Sequence, residues 1–326
     1  MKNKNPRIID LLKTCGGAQG WIKSAVKQIL EYCNRILEKF IKNNENPQII
    51  GLLRAYGAQE WIKPAIKQAL EYCDEVIVSV GAYVSVLEKF EDSAYELCKK
   101  YPEITLVAHS TSEKYMSIEH ETLNEMLKKS RLYSVGNWIW ILDVDEFYPK
   151  SAYRKIKSAI KSNNYDYITV EEKLFFINMQ HFLKGSHAKL FKIRPLHMLP
   201  FYRFKPVQHW SGKFRKNYIL SQEDGMFHYS LLTNPHIRKV RWENEYPDSK
   251  QTRWLDKIYR NYDLDNEDYW IEKNFKLSGI KSPWFSEEFQ PDENGRLFKY
   301  EGQHPKFIEE TELPKIPDFR KKYRFE

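Results

Sequence analysis

The chain has 326 residues, of which 42% are hydrophobic and 29% are charged, and its net charge is +8. This balance excludes a disordered chain, and the length allows one large domain with an extension or two modest domains. The longest apolar run, at 138–142, is far shorter than the roughly 18 residues that a membrane-crossing helix needs. The basic N-terminal stretch is too short and too interrupted for a signal peptide, so we expect a cytoplasmic protein.

The positive charge and the aromatic content of 15% bear on the partners of the chain. Basic side chains attract nucleotides, phosphates, nucleic acid or an anionic membrane surface, and aromatic rings stack on bases or sugars. Composition leaves these partners open, together with a solvated basic surface that binds none of them. The four cysteines show no CxxC spacing, which gives no indication of a zinc site or a disulfide framework.

Residues 5–36 and 46–76 are two versions of one segment, and both lead into Leu-Glu-Lys-Phe. Only the second version has the β-branched, apolar stretch at 77–86 before that tetrapeptide, and this stretch indicates a buried strand. The first version therefore lacks the return strand of a βαβ unit. We interpret 1–45 as a degenerate duplicate, 46–235 as the main domain, and 236–326 as a helical and irregular extension that packs on the core.

From residue 46 onward, short apolar strands alternate with amphipathic helices. The pattern predicts strands at 48–54, 75–80, 104–108, 137–142, 166–176 and 188–193, and helices at 59–72, 86–100, 117–131 and 150–162. This alternation is typical of an α/β fold with a doubly wound, mostly parallel sheet, in which ligands bind beyond the carboxyl ends of the strands.

Asp143, Asp145 and Glu146 follow directly after the apolar run at 138–142. Three carboxylates within four residues repel one another unless a cation neutralises them. A divalent ion held by oxygen ligands, with phosphates completing its coordination, is the usual solution, and a solvated acidic loop is the alternative. The position after a buried strand favours a binding site.

The segment 138–147, Trp-Ile-Trp-Ile-Leu-Asp-Val-Asp-Glu-Phe, resembles the DxD strand of family 2 glycosyltransferases, in the branch that reads LDxDEF. Further segments resemble this family in the same order along the chain. They are 53–61 for the first strand and its NEEEW-like turn, 189–192 with 207–209 for the RLFR…vHE stretch, and 227–229 for the later histidine segment.

The resemblance covers about 46–235 and implies that this region is a catalytic domain of the GT-A (nucleotide-diphospho-sugar transferase) fold. It also implies a nucleotide-sugar donor, a carbohydrate or glycan-precursor acceptor and a divalent cation, Mn²⁺ or Mg²⁺. Peripheral contact with an anionic membrane surface would suit the positive charge, and no nucleic-acid partner is expected.

The same resemblance implies roles for individual residues. Asp145 would bind the metal, and Asp143 would bind the metal or contact the ribose. Glu146 would orient the donor sugar or support the metal, and Tyr56 and Glu60 would approach the nucleotide. The Asp pair that the family usually has after its second strand is missing here.

Two further sites remain open from the sequence. His228 is a candidate metal ligand or phosphate contact, with a packed structural histidine as the alternative. An inverting transfer needs a general base beside the acceptor hydroxyl, usually a carboxylate. Glu223 and Asp224 are the nearest match to the family's ED element, although acids also occur in turns before a glycine such as Gly225.

Two other functions stay open at this point. The departures from the family pattern are compatible with an inactive glycosyltransferase-like protein. The basic, aromatic composition is compatible with a nucleic-acid-binding protein, although no RNP, KH or zinc-finger pattern is present.

Overall fold

The computed structural model describes residues 46–56, 59–81, 94–108, 115–176, 179–194, 197, 216–232 and 298–309. This part of the chain is a mixed α/β structure with a curled, parallel-rich sheet. The duplicate at 1–45 lies outside the described residues, as does most of the extension at 236–326.

Within the described ranges, ten strands form one sheet. They are β1 (Ile49–Tyr56), β2 (Glu75–Gly81), β3 (Thr105–Ala108), β4 (Trp138–Asp143), β5 (Glu146–Phe147), β6 (Tyr167–Phe176), β7 (His181–Lys192), β8 (Asn217–Leu220), β9 (Met226–Leu231) and β10 (Phe298–Lys299). Their order is β3-β2-β1-β4-β7-β6-β9-β5, with β10 beside β7 and β8 beside β6. The pairs among β1 to β4 are parallel, whereas β7 runs antiparallel to both β4 and β6.

The helices of the described residues are α1 (Gln59–Tyr72), α2 (Ala94–Cys98), α3 (Tyr115–Lys129), α4 (Lys150–Ser162) and α5 (Lys306–Glu309). The predicted helices at 59–72 and 150–162 are confirmed with the same bounds. Of the predicted helix at 86–100, residues 94–100 are described, and the helix there is Ala94–Cys98. None of these helices has both the length and the apolar character that a membrane crossing requires.

The predicted strand at 188–193 is the second half of a longer strand, β7, which begins at His181. The first half was missed because its central residues, from Lys184 to His187, are polar or small and only partly covered. Their polar character hides the strand from a search for hydrophobic patterns, although the antiparallel pairing with β6 continues through them.

Alternate residues of β1 belong to two separate cores, one on each face of the sheet. Ile49 and Leu53 belong to the core that includes α1 and α4, whereas Ile50 and Leu52 belong to the core that includes α3. The strand is almost wholly apolar because both of its faces are covered. Helices therefore lie on both faces of the parallel part, as the doubly wound pattern predicts.

The order of the strands reverses between β1 and β4. From β1 the chain adds β2 and β3 on one side, and it then returns to place β4 on the other side of β1. In an open parallel sheet, the crevice beyond the carboxyl ends of two such strands is the usual place for a ligand. Arg54 and Asp143 are the last register partners of this pair.

Residues 298–309 pack on the sheet although they are distant in sequence. Lys299 and its neighbour in β10 pair with β7, and Lys306 forms a 2.7 Å ion pair with Glu71 of α1. The hydroxyl of Tyr229 lies 2.6 Å from His304 Nδ1. Because Tyr229 and His228 are neighbours in β9 and alternate residues of a strand point to opposite faces, the contact with His304 lies on the face opposite to His228.

Candidate active site

An ion pair joins the ends of β1 and β4. The Arg54 guanidinium donates from Nε to Asp143 Oδ1 at 2.7 Å and from Nη2 to Oδ2 at 2.8 Å. The Arg54 side chain is only 8% exposed and that of Asp143 is 25% exposed. Burial works against the charged carboxylate, but Arg54 and the ammonium of Lys189 outweigh it, so the pKa of Asp143 lies well below its usual range.

Lys189 of β7 lies between two carboxylates of the acidic turn. Its ammonium donates to Glu146 Oε1 and lies 3.3 Å from Asp143 Oδ2. The other oxygen of Glu146 accepts a hydrogen bond from the backbone N–H of Asp143 at 3.2 Å. Nearly complete burial of Glu146 raises its pKa to about 7 in spite of the neighbouring ammonium. The two carboxylates in turn outweigh the burial of Lys189 and raise its pKa.

Glu172 of β6 is fully buried and lies between two histidines on neighbouring strands. Its Oε2 lies 2.9 Å from His228 Nδ1 of β9, and its Oε1 lies 2.8 Å from His187 Nε2 of β7. Although burial favours a neutral carboxyl, the two imidazoles keep the pKa of Glu172 well below its usual range. Burial alone would lower the pKa of His228, but Glu172 outweighs it and raises the pKa to about 9. Glu172 raises the pKa of His187 as well.

Asp145 lies next to His228, which connects these two groups of charges. His228 Nε2 is 3.7 Å from Asp145 Oδ1, and the Asp145 side chain is 8% exposed. The backbone carbonyl of Asp145 accepts a hydrogen bond from the N–H of Tyr229 at 2.9 Å. Glu146 and His228 are also register partners in the short β5–β9 pair. The acidic turn and the histidine strand are therefore held together through both backbone and side chains.

Gln68 of α1 holds the backbone of the acidic turn. Its amide nitrogen donates to the carbonyl of Glu146 at 3.0 Å, and its amide oxygen accepts from the N–H of Tyr148 at 2.6 Å. The N–H of Val144 donates to the carbonyl of Arg54 at 3.1 Å. Because these backbone groups are buried and paired, the turn has a defined geometry before any ligand arrives.

Four carboxylates meet four basic groups of the same chain at this site. The carboxylates belong to Asp143, Asp145, Glu146 and Glu172, and the basic groups belong to Arg54, His187, Lys189 and His228. The sequence suggested that an external cation must neutralise the acidic turn. In the structure, basic side chains from β1, β7 and β9 neutralise much of that charge.

No functional role was expected from the sequence for Arg54, Glu172, His187 or Lys189. Each is a charged or titratable side chain within a strand, and Arg54, Glu172 and Lys189 are buried there, which is an unusual position for such groups. That signal is visible in the sequence. The partners of these four residues cannot be identified from the sequence. The paired residues lie 43 to 89 positions apart in the chain, and they come from separate strands or from the acidic turn.

The expected metal ligands Asp143, Asp145 and His228 lie close together, but they do not form a ready metal site. Within the described ranges, no three His, Cys, Asp or Glu side chains are arranged to hold a metal ion. Asp143 is bound by Arg54 and Lys189, and Nδ1 of His228 faces Glu172. Binding of Mn²⁺ or Mg²⁺ there stays a prediction, and it would require these ion pairs to rearrange.

Asp224 lies apart from this cluster, in a short 3-10 helix (Gln222–Asp224) that precedes β9. Its carboxylate accepts from Lys155 of α4, and this contact holds the pKa of Asp224 below its usual value. Glu223 is exposed. The structure does not bring either residue into the ion-paired cluster, and a role for them as the base stays a prediction.

Tyr56 ends β1 and Glu60 lies in the first turn of α1, close in the chain to Arg54. Their side chains lie outside the described part of the structure, as does the whole segment 207–209. Their contacts with a nucleotide therefore stay predictions.

Comparison with known proteins gives a distant similarity in fold. No protein-family model matches the chain, and no curated protein matches it. Crystal structures of S. aureus TarS are similar. The structure of TarS 1–349 has a TM-score of 0.37 and 12% identity over 69% of this chain and 78% of that chain. A second TarS crystal structure has a TM-score of 0.36 and 11% identity over 72% of this chain and 46% of that chain.

The structure of TarS 1–349 in complex with UDP has a TM-score of 0.35 and 11% identity, with the same coverage as the first. At this identity and TM-score the similarity concerns the fold alone. The function of this chain therefore has to be inferred from its own side chains.

Proposed function

We propose that this chain is a glycosyltransferase of the GT-A type that transfers a sugar from a nucleotide-diphosphate sugar to a hydroxyl acceptor. The observation that supports this proposal is the position of the Asp143–Glu146 turn. It lies at the carboxyl end of β4, where the strand order reverses next to β1. A ligand site is expected at that crevice, and the LDxDEF resemblance gives the chemical class of the ligand.

The proposed reaction breaks the bond between the anomeric carbon of the donor sugar and the diphosphate oxygen. A new bond forms between that carbon and the acceptor oxygen, the acceptor proton passes to a general base, and the nucleoside diphosphate leaves. Negative charge grows on the leaving diphosphate, so fixed positive groups at the site accelerate the step. Among the described residues, the candidates for that task are the basic side chains of Arg54, His187, Lys189 and His228.

The remaining parts of the proposal follow from the family resemblance. Asp224 is the proposed base of an inverting transfer, and Glu223 and Glu146 are the next candidates. A divalent cation, when bound, would offset charge on the diphosphate as a Lewis acid. The proposed acceptor is a carbohydrate or a glycan precursor.

The test is a thermal-unfolding screen of the full chain with nucleoside diphosphates and nucleotide sugars, each with Mn²⁺ and with EDTA. A ligand that binds only the native state raises the melting temperature by mass action. We expect one nucleoside diphosphate to stabilise the protein, and the matching nucleotide sugar to be consumed when an acceptor is present.

Other outcomes would support the other functions. Nucleotide binding without turnover, over a panel of acceptors, would identify an inactive relative. The absence of any stabilisation by nucleotides, with salt-sensitive binding of an oligonucleotide instead, would contradict the proposal and support a nucleic-acid-binding protein.

A further inference from the structure

Helix α4 has one apolar side and one basic side. Its buried residues belong to the core on one face of the sheet, and they are Ala152, Ile156, Ala159 and Ile160. Every charged residue of this 13-residue helix is a lysine or an arginine, and all of them are exposed. The outer side of α4 therefore carries positive charge with no carboxylate of its own.

Four of the basic residues of α4 share one side of the helix, and they are Lys150, Arg154, Lys157 and Lys161. These four residues, here the basic stripe, follow one another at intervals of four, three and four positions, which places them in one narrow sector of a helix. The stripe is about 16 Å long, because the backbone between its ends rises about 1.5 Å per residue. Lys155 lies outside this sector, where it pairs with Asp224.

The basic stripe has little neutralising charge near it in the described part of the chain. Lys150, Arg154 and Lys161 form no ion pair with another described residue. Lys157 lies near the carboxylate of Asp74, which also accepts a backbone hydrogen bond from β1 at 2.8 Å. The positive charge of the stripe is therefore available to an anion outside the protein.

The outer side of α1 adds to this positive charge. Helix α1 packs on the same face of the sheet as α4, and it exposes Lys63 and Lys67, which are one helical turn apart. Glu71 of the same outer side is paired with Lys306 at 2.7 Å. Because helices on one face of a sheet turn their outer sides to the same solvent, the charge extends beyond α4.

The side chains around the basic stripe favour a lipid surface over a nucleic acid. The other exposed positions of α4 are small and polar, and they are Ser151, Ser158 and Ser162. The aromatic ring of α4, that of Tyr153, is only partly exposed and stacks on Tyr72 at 4.4 Å. Proteins that bind single-stranded nucleic acid stack its bases on aromatic rings in a groove, whereas a plane of anionic headgroups requires only clustered basic side chains.

We propose that the basic stripe of α4 binds the surface of an anionic lipid bilayer and holds the protein there as a peripheral protein. The contact is electrostatic, since the stripe presents charge and no apolar side chain. A net charge of +8 leaves the place of such a contact open, and the stripe gives it a place. This inference goes beyond the proposed function and does not depend on it, because binding to a bilayer needs no sugar donor.

The experiment is cosedimentation of the full chain with lipid vesicles at low ionic strength. One vesicle contains equal parts of phosphatidylglycerol and phosphatidylcholine, and the other contains phosphatidylcholine alone. The wild type should bind the first and not the second, and added salt should release it. Arg154→Gln/Lys161→Gln should bind the anionic vesicles about 30-fold more weakly, because each basic side chain near such a surface strengthens binding about five-fold.

Lys128→Gln/Lys129→Gln is the matched control. It removes the same charge from two exposed positions of α3, which packs on the other face of the sheet, and it should bind the anionic vesicles as the wild type does. Since all four positions are exposed, both double variants should fold, and circular dichroism checks this.

Three results would overturn the inference. The first is a wild type that does not bind the anionic vesicles, which would leave the stripe as a solvated surface. The second is an equal loss of binding in the two double variants, because binding would then follow net charge and not the stripe. The third is an oligonucleotide that binds more tightly than the vesicles and is lost in Arg154→Gln/Lys161→Gln, which would assign the stripe to a nucleic acid.

Discussion

Arg54 and Asp143 are register partners at the ends of two adjacent parallel strands, and their side chains form a two-point ion pair of 2.7 and 2.8 Å. The pair lies where the strand order reverses, which is the expected place for a ligand. The first carboxylate of the DxD sequence is therefore already neutralised by the protein. This arrangement leads to a prediction about stability as well as about binding.

Arg54→Gln should lower the free energy of unfolding by about 3 kcal/mol, because it removes the buried guanidinium that makes two hydrogen bonds to Asp143 and leaves Lys189 as the described cation beside that carboxylate. Urea denaturation at neutral pH measures the loss. Arg131→Gln is the control, since Arg131 also faces a carboxylate, that of Glu75, but its side chain is 88% exposed. Exposed ion pairs contribute little, so the control should lose little stability. An equal loss in both variants would show that the Arg54 pair is not a buried interaction.

Lys189→Met should destabilise the protein strongly, by about 3–5 kcal/mol, because Glu146 is buried beneath the ammonium and Asp143 lies beside it. The double variant Lys189→Met/Glu146→Gln also removes the buried carboxylate of Glu146, which the single variant leaves without its ammonium partner. It should therefore recover part of the lost stability. A double-mutant cycle from urea denaturation gives the coupling between the two residues. Additive losses would mean that the two side chains do not interact.

Glu75, which lies outside the candidate active site, should make the stability of the protein depend on pH. Its burial favours the neutral form, but the hydroxyl of Ser130 and the N–H groups of Arg131 and Leu132 donate to the carboxylate and lower its pKa. Because the folded pKa is below the unfolded one, this stabilisation is present above the unfolded pKa of about 4.3 and is lost as the pH falls below it.

Glu75→Gln should therefore cost about 2 kcal/mol at pH 7, and the difference from wild type should shrink as the pH falls from about 5 to 3. Unfolding curves at several pH values measure this difference. Ser130→Ala, which removes only one donor to Glu75, should show the same trend with a smaller amplitude. A difference that is constant with pH would contradict the assignment.

Asp224→Asn tests the proposed base. If Asp224 accepts the acceptor proton, the variant should keep its donor affinity and transfer the sugar about 10²–10⁴-fold more slowly. Lys155→Gln is the comparison, because it removes the partner of Asp224 and keeps the carboxylate. Full transfer activity in Asp224→Asn would place the base elsewhere, and Glu223 and Glu146 are then the next candidates.

The local sequence by itself determined many elements of the fold, although β5, β8, β9, β10 and the first half of β7 were not predicted. The helices at 59–72 and 150–162 follow from an apolar stripe that recurs every three to four residues, and β1 and β4 follow from apolar runs with both faces buried. These patterns also placed Asp143, Asp145 and Glu146 at the carboxyl end of a strand. Such features are local, because the periodicity of a segment depends only on neighbouring residues.

Only the tertiary structure decided which charges meet. Arg54 pairs with Asp143 because β1 and β4 are neighbours in one register, and a shift of one residue would turn one of the two side chains to the other face. Glu172 meets His187 and His228 because β7 and β9 flank β6. Strand order and register depend on contacts across the whole chain. The sequence could therefore locate the acidic turn, whereas the pairing of its carboxylates with basic groups was decided only in the folded sheet.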